Sequence, residues 1–341
     1  MIFRKYKILE VGSDYLIAAK GYRFYRLTRD GRQRHYMGSI RDSYFGIAAR
    51  FRMLSRLLRA EVYFFKTLNN GQQLCIAKKG IFRLNGKTGH FEKCFPIVRG
   101  TRPMNFGEDD RGTIYFGEYF NNPSREPVHI YKSDDSGHNW QIAYTFPEGS
   151  IRHIHGIHFD KYTNRMWIVT GDLQNECVIG YSDDQFRSMV EVFRGGQDVR
   201  ACKLLFFEDE VVYGTDSETA QNYIKAFDRT GLKIRDIFEV QGSVINAVKI
   251  GNNCFFNTTV EPSQLNTDQS SFQWVYNLET GRYEVIKNYL KDRWDHRYFQ
   301  FGQCLFPEYK AEHSDMLYFY GCALKGIDGH SVGLKLSDIL P

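Results

Sequence analysis

The chain has 341 residues, of which 42% are hydrophobic, 16% aromatic and 25% charged, and 45 Lys and Arg against 40 Asp and Glu give a net charge of +5. That composition allows a sizeable core and excludes disordered, collagen-like and coiled-coil classes. The surplus is uneven: residues 1–60 hold 14 basic and 4 acidic side chains, so a basic N-terminal segment precedes a mildly acidic body.

The opening MIFRKYKILEVGSDYLIAAK interrupts every apolar run with a charge or a glycine, unlike a secretory signal, and no stretch approaches the roughly 18 apolar residues that span a bilayer. The chain reads as cytoplasmic. Its seven cysteines (Cys75, Cys94, Cys177, Cys202, Cys254, Cys304 and Cys322) lack a CxxC pair and sit mostly among apolar neighbours. Buried free thiols are expected, in place of disulfides or a zinc site.

In chain order, FRKYKILEV forms a first strand, and YLIAAK, YRFYRLTRDG and RQRHYMG follow as a short strand unit. Residues 44–60 (YFGIAARFRMLSRLLRA) break the pattern. Ile47, Phe51, Leu54 and Leu58 fall on one stripe with Arg52, Arg56 and Arg59 roughly opposite, which predicts an inserted basic amphipathic helix. Its stripe is expected to pack on the parent domain with the arginines in water; the alternative is peripheral contact with an anionic membrane surface or a protein partner. A further unit follows in EVYFFKTLNN, QLCIAKK, GIFRLNG and HFEKCF.

From residue 102 the strands group in fours, and the units start at Arg102, Arg152, Arg200 and Ile245. That period is close to the roughly 40–50 residues of propeller blades. A last unit, RYFQFGQCLF, LYFYGCAL and HSVGLKLSDIL, lacks a fourth strand, which FRKYKILEV could supply, closing the ring without an exposed edge. The expected fold is therefore all-β: one domain over 1–341, a seven-bladed β-propeller of four-stranded antiparallel blades carrying one inserted helix. Six blades is the alternative if the first unit is incomplete. A β-sandwich would not explain the steady period.

One motif is specific. Ser133-Asp134-Asp135-Ser136-Gly137-His138-Asn139-Trp140 fits S-x-D-x-G-x-x-W between the third and fourth strands of its unit, and Tyr181-Ser182-Asp183-Asp184-Gln185-Phe186 is a degenerate copy in the next. Asp135 can accept turn N–H bonds, Gly137 suits positive φ, and Trp140 can pack back on the blade. On these residues the chain resembles the sialidase-like superfamily of Asp-box (BNR) propellers over essentially its whole length. The resemblance implies a funnel site, commonly for carbohydrate, with Asp135 structural and distant from the chemistry. The family's Phe/Tyr-Arg-Ile-Pro motif has only a faint echo in Thr101-Arg102-Pro103. The segment GEYFNNPSREPVHIYKSDDSG followed by RHIHGIHFD also looks like propellers associated with bacterial surface polysaccharides.

Aligning the units places Arg102, Arg152 and Arg200 at the entry of the innermost strand, with Arg297 near that place in the last unit. Converging guanidiniums would hold a carboxylate or sulfate bidentately, or each would pair with an acid to bridge blades. In His153-Ile-His155-Gly-Ile-His158-Phe-Asp160, His153 and His155 share a strand face, and Gly156 leaves room for a ligand or a close backbone approach. A histidine here can transfer protons or bind substrate, or it can be structural; a His-x-His pair binds metal only with a third ligand, so no metal or cofactor is assigned.

The second strands end in Glu118-Tyr119, Asp172 and Asp216. Glu118 and Asp172 are the carboxylate candidates for acid/base work and Tyr119 a nucleophile or proton donor, while Asx caps are the structural reading of the aspartates. Gln197, Asn246 and His158 complete the candidate substrate contacts. No phosphate-binding loop, dinucleotide motif, HExxH or GxSxG is present. The expected function is an enzyme acting on an acidic oligosaccharide or polysaccharide, with glycoside hydrolysis favoured over uronate β-elimination on superfamily grounds. A non-catalytic glycan-binding propeller or a protein-interaction scaffold is the alternative. Nucleic acid is not expected, because the body is acidic and no basic-aromatic strip accompanies the helix.

Overall fold

Short runs of Val, Ile, Phe and Tyr punctuated by Gly, Asp and Asn form strands here, at 49% of the chain against 7% helix. The computed structural model describes residues 1–340. It divides into two compact units, one comprising residues 1–65, 84–91 and 241 onward, the other residues 66–83 and 92–240.

The second unit contains three four-stranded antiparallel sheets in which spatial order follows chain order. They are Gly107–Glu108, Ile114–Gly117, Val128–Ser133 and Gln141–Phe146; His153–Asp160, Arg165–Gly171, Val178–Ser182 and Val190–Arg194; and Ala201–Phe206, Glu210–Thr215, Asn222–Asp228 and Ile234–Val240. Burial falls along each sheet. His153–Asp160 is buried nearly throughout, whereas Val190–Arg194 is exposed or half-buried. The core lies between successive sheets: Tyr115, Ile130, Ile157, Ile168 and Phe186 form one cluster, and Trp167, Val169, Ile179, Leu204 and Tyr213 the next. Apolar area removed from water in such layers is the main stabilising term, at about 25 cal/mol per Å².

The first unit repeats the pattern in Asn246–Ile250, Asn253–Asn257, Ser270–Asn277 and Tyr283–Leu290, while the N-terminal antiparallel meander Lys7–Val11, Tyr15–Lys20, Arg23–Thr28 and Arg34–Ile40 is part of a larger nine-stranded sheet. Its last sheet is Gln303–Leu305, Met316–Cys322 and Ser331–Lys335, completed by Ile2–Phe3 in the register Ile2↔Val332. The N-terminal strand thus supplies the missing fourth strand, although it is two residues long and Lys7–Val11 belongs to the following meander.

The turn between Val128–Ser133 and Gln141–Phe146 is closed by its own side chains. Ser133 Oγ accepts from Gly137 N at 2.9 Å and donates to Asp135 Oδ1 at 2.9 Å, and Asp135 Oδ1 accepts from Asn139 N at 2.8 Å. Despite the opposing effect of its slight burial, the Asn139 donors hold the Asp135 carboxyl at about 2. Ser182 and Asp184 repeat the geometry, with Phe186 N on Ser182 Oγ at 2.8 Å and Ser188 N on Asp184 Oδ1 at 3.0 Å.

Two expectations are corrected. Residues 44–60 form two six-residue helices, Ser43–Ala48 and Arg52–Leu57, separated by an extended Phe51. Their polarity is also reversed: Arg56 is 1% exposed, while Ile47 and Phe51 are each 59% exposed. The cause is long-range, since acids from distant segments reach the arginines, as shown below. The cysteines are as expected, all unpaired and all but Cys94 buried. Among the described residues no helix is long and apolar enough to cross a membrane.

Candidate functional site

The site is built on the second unit, at the entries of the innermost strands. A bulge interrupts the pairing of His153–Asp160 with Arg165–Gly171 between Ile154 and Gly156. A bulge re-aims the side chain it carries, and here it turns the His155 ring toward His153. Their Nε2 atoms are 3.1 Å apart. The register His153↔Gly171 sets Asp172, the next residue, beside them. A Cβ on Gly171 would lie 2.6 Å from His155 Cε1, so only glycine leaves space for that ring. Gly156 does not open room for a ligand: its Cβ position is 2.8 Å from the Cys202 carbonyl oxygen, so it serves a close strand approach.

Asp172 Oδ1 lies 3.1 Å from His155 Nε2 and 3.3 Å from His153 Nε2. Each imidazole uses its other nitrogen on a backbone carbonyl, His153 Nδ1 on Phe120 and His155 Nδ1 on Ala201, both at 3.0 Å. With Nδ1–H donated there, both Nε2 atoms face Asp172 as acceptors. Three acceptors this close repel one another unless a proton or a cation lies among them. Ligand atoms bound to one ion at about 2.1 Å are spaced by about 3 Å, so the triangle fits the face of a divalent cation site. Two imidazoles and a carboxylate suit a first-row transition metal. His155, Cys202 and Asp216 also converge. That group fits less well, because His155 Nδ1 is already spent and burial pushes the Cys202 thiol well above its ordinary range.

Two arginines surround the triangle. Arg152 Nη1 donates to Asp172 Oδ2 at 3.1 Å and its Nη2 to Asn121 at 2.6 Å. Arg200 Nη2 is 3.2 Å from Asp172, 3.5 Å from Asp216 and 3.5 Å from Glu218. Burial would raise the Asp172 carboxyl, but His153 and His155, when a proton on Nε2 lets them donate to it, outweigh burial and hold it well below the carboxylate range. Burial likewise opposes the Arg200 charge, and Asp216 and Asp172 more than restore it. Arg152 Nε, Arg200 Nε, Gln197 Oε1 and Asp216 Oδ1 are buried with no hydrogen-bond partner. Such orphaned groups mark capacity for a polar ligand.

Tyr119 links this cluster to a cavity. Its ring centroid is 4.3 Å from that of His153, and burial, opposed by Arg102, pushes its phenol well up. It also lines a 260 Å³ pocket with Phe95, Arg99, Arg102, Phe116 and Tyr131.

The remaining expected residues lie elsewhere in function or in place. Glu118 is taken by Arg99, whose Nε is 3.0 Å from Oε1, and by His129 N at 2.9 Å on Oε2, so it is not a free acid or base. Neither partner is visible from sequence spacing. Gln197 Nε2 donates to the Asp172 carbonyl at 3.0 Å and belongs to the cluster's frame. His158 is buried against the Cys202 carbonyl at 3.1 Å, away from the triangle. Arg297 belongs to the other unit, is 71% exposed on its side chain, and pairs with its own neighbour Asp295 at 2.6 Å. Asn246, also there, accepts from Phe306 N at 3.0 Å. The expected meeting of four entry arginines is therefore corrected to Arg152 and Arg200 at the triangle, with Arg102 at the pocket.

No family model matches the sequence, and no curated protein matches it. Among solved structures, the chain is similar to an oligogalacturonate lyase in complex with manganese, with a TM-score of 0.62, 8% identity, and coverage of 96% of this chain and 87% of that one. It is similar to oligogalacturonate lyase from Vibrio parahaemolyticus, with a TM-score of 0.60, 10% identity and coverage of 98% and 90%. A chain of the mitotic checkpoint complex matches at a TM-score of 0.59 and 10% identity, over 97% of this chain and 89% of that one. These are propeller-like proteins, so the fold is a β-propeller. Their diversity shows that the likeness speaks to fold alone.

Proposed function

We propose that this protein is an enzyme acting on acidic oligosaccharides or polysaccharides, and that it breaks the chain by β-elimination at a uronate. The observation that carries this reading is the His153–His155–Asp172 triangle with Arg152 and Arg200 around it, next to a pocket that presents Arg102 and Tyr119. A divalent cation held by His153, His155 and Asp172, such as the manganese of the lyase similar in fold, would neutralise a uronate carboxylate and so acidify the adjacent C–H. Arg102 and Arg152 orient that carboxylate, since guanidinium forks suit planar anions. The aromatic pocket walls suit the C–H face of one sugar residue. As the C4–C5 double bond forms, the C5 proton passes to a solvent base in the open pocket, the C4–O bond breaks, and Tyr119, kept protonated by burial, gives its proton to the leaving glycosidic oxygen.

Hydrolysis fits less well than the sequence suggested. It needs two available carboxyl groups across the bond. Glu118 is neutralised by Arg99, and Asp172 is held among two imidazoles and two guanidiniums. The turn hydrogen bonds at 133–139 support the sialidase-like affinity, and among the described residues five four-stranded sheets with one nine-stranded sheet long enough for two more blades support a count of seven; both stay part of this proposal.

The test is incubation with polygalacturonate, alginate and other uronate polymers, with and without added manganese, read for unsaturated-uronate absorbance and for reducing ends. Both signals rising together is the expected result. Reducing ends without absorbance would establish hydrolysis instead, and binding with neither signal would make the protein a glycan-binding module.

A further inference from the structure

The reversed polarity of residues 43–60 gives these two helices a surface that the candidate site does not use. Arg56 is turned inward, where its Nη1 meets Asp292 at 2.5 Å and its Nε the Phe299 carbonyl at 2.9 Å. Arg52 likewise meets Asp328 at 2.6 Å and Glu61 at 3.0 Å. With both arginines engaged, Tyr44, Ile47, Phe51, Leu54 and Leu57 are left exposed, by 43% to 66%. Beside them, on the short helix His296–Phe299 and the turn before it, Tyr298 and Trp294 are exposed as well. Single exposed apolar residues are ordinary, but a contiguous set marks a surface that something covers.

Charge identifies what covers it. Residues 43–60 contain four arginines and no acid. Arg41 and Arg50 are exposed and Arg59 half-exposed, and Arg293 is exposed on the neighbouring turn. The nearby acids are already engaged: Glu61, Asp292 and Asp328 inside, Asp295 by Arg297 at 2.6 Å, and Asp42 as the cap of the first helix, accepting from Phe45 N at 2.7 Å. An apolar patch with aromatic members and a cationic rim complements an anionic lipid surface, with aliphatic side chains entering the acyl boundary, rings at headgroup depth and guanidiniums on phosphates.

We propose that this face docks the protein peripherally on anionic bilayers. Such placement would hold the enzyme close to a membrane, independently of what the candidate site does.

The experiment is flotation of the full chain with vesicles of phosphatidylcholine alone or mixed with phosphatidylglycerol. Binding is expected to the anionic vesicles, and to weaken at high salt. The triple variant Ile47→Ser, Phe51→Ser, Leu54→Ser should lose it, with an unchanged thermal melt because these side chains are already in water. Arg50→Glu alone should weaken binding at least about fivefold, on the scale of one basic residue at an anionic surface. Failure to float with anionic vesicles, equal binding to neutral ones, or a self-association that the triple variant abolishes would each overturn the proposal.

Discussion

Replacing Asp172 by Asn removes one negative charge and almost no volume, so its effect isolates electrostatics. The Asp172 side chain is 18% exposed and lies within 3.1–3.3 Å of Arg152, Arg200, His153 and His155. Removing one partner of a buried ion pair typically costs about 3–5 kcal/mol. Here the lower end applies, because Arg152 keeps Asn121 and Arg200 keeps Asp216. A loss of about 3 kcal/mol corresponds to a drop of roughly 6–10 °C in melting temperature for a large domain. The pH dependence follows from the direction of the shift. The folded carboxyl lies well below its unfolded value of about 3.9, so its contribution is full above that pH and shrinks as pH falls beneath it. Thermal melts of wild type and Asp172→Asn from pH 7 to pH 3, with chelator present, should therefore draw closer below pH 4, the gap shrinking by about 1 kcal/mol at pH 3. A gap under 1 °C at neutral pH, or one that stays constant to pH 3, would show that Asp172 is not the anionic centre of this cluster.

His155→Ala should cut manganese affinity, measured by titration calorimetry, at least about 100-fold while the fold persists; unchanged affinity would place the ion elsewhere. In the uronate assay Tyr119→Phe is expected to lower turnover by about 10²–10³, whereas Glu118→Gln should stay within a few-fold of wild type, because Arg99 already neutralises that carboxylate. Ser133→Ala leaves the Gly137 N–H without its acceptor and should cost about 1–2 kcal/mol in urea denaturation. Deleting residues 1–5 removes buried Phe3, at about 2 kcal/mol, and bares the Ser331–Lys335 edge, so light scattering should show increased aggregation.

What could be read in advance was what repeats. Arg152 and Arg200 stand at one position of successive units, and Asp172 and Asp216 at another, and the equivalent registers His153↔Gly171 and Ala201↔Thr215 carry those positions into proximity. The side-chain-closed turn at 133–139 was legible because every bond in it spans four residues or fewer. The triangle was half legible. His-x-His was visible, but the bulge that aims His155 and the choice of Asp172 as third member depend on strand pairing. Glu118 was misjudged because Arg99 approaches from outside its own unit's strands. The amphipathic stripe failed for the same reason at longer range. A helical wheel treats arginine as a solvent-seeking residue, and nothing local reveals that Asp292 and Asp328, more than 230 positions away, are waiting for Arg56 and Arg52.

The completion of the last sheet by Ile2–Phe3 has a consequence for synthesis. Met1 and its partner Gly333 are 332 positions apart, and at ribosomal rates that interval lasts on the order of tens of seconds. Throughout it, the first strand has no partner. Closing so long a loop late gives the fold a high contact order, and the docking of these two residues is a candidate for its slow step. A clasp of only two residues then has a kinetic merit: it offers little edge for another chain to capture while it waits.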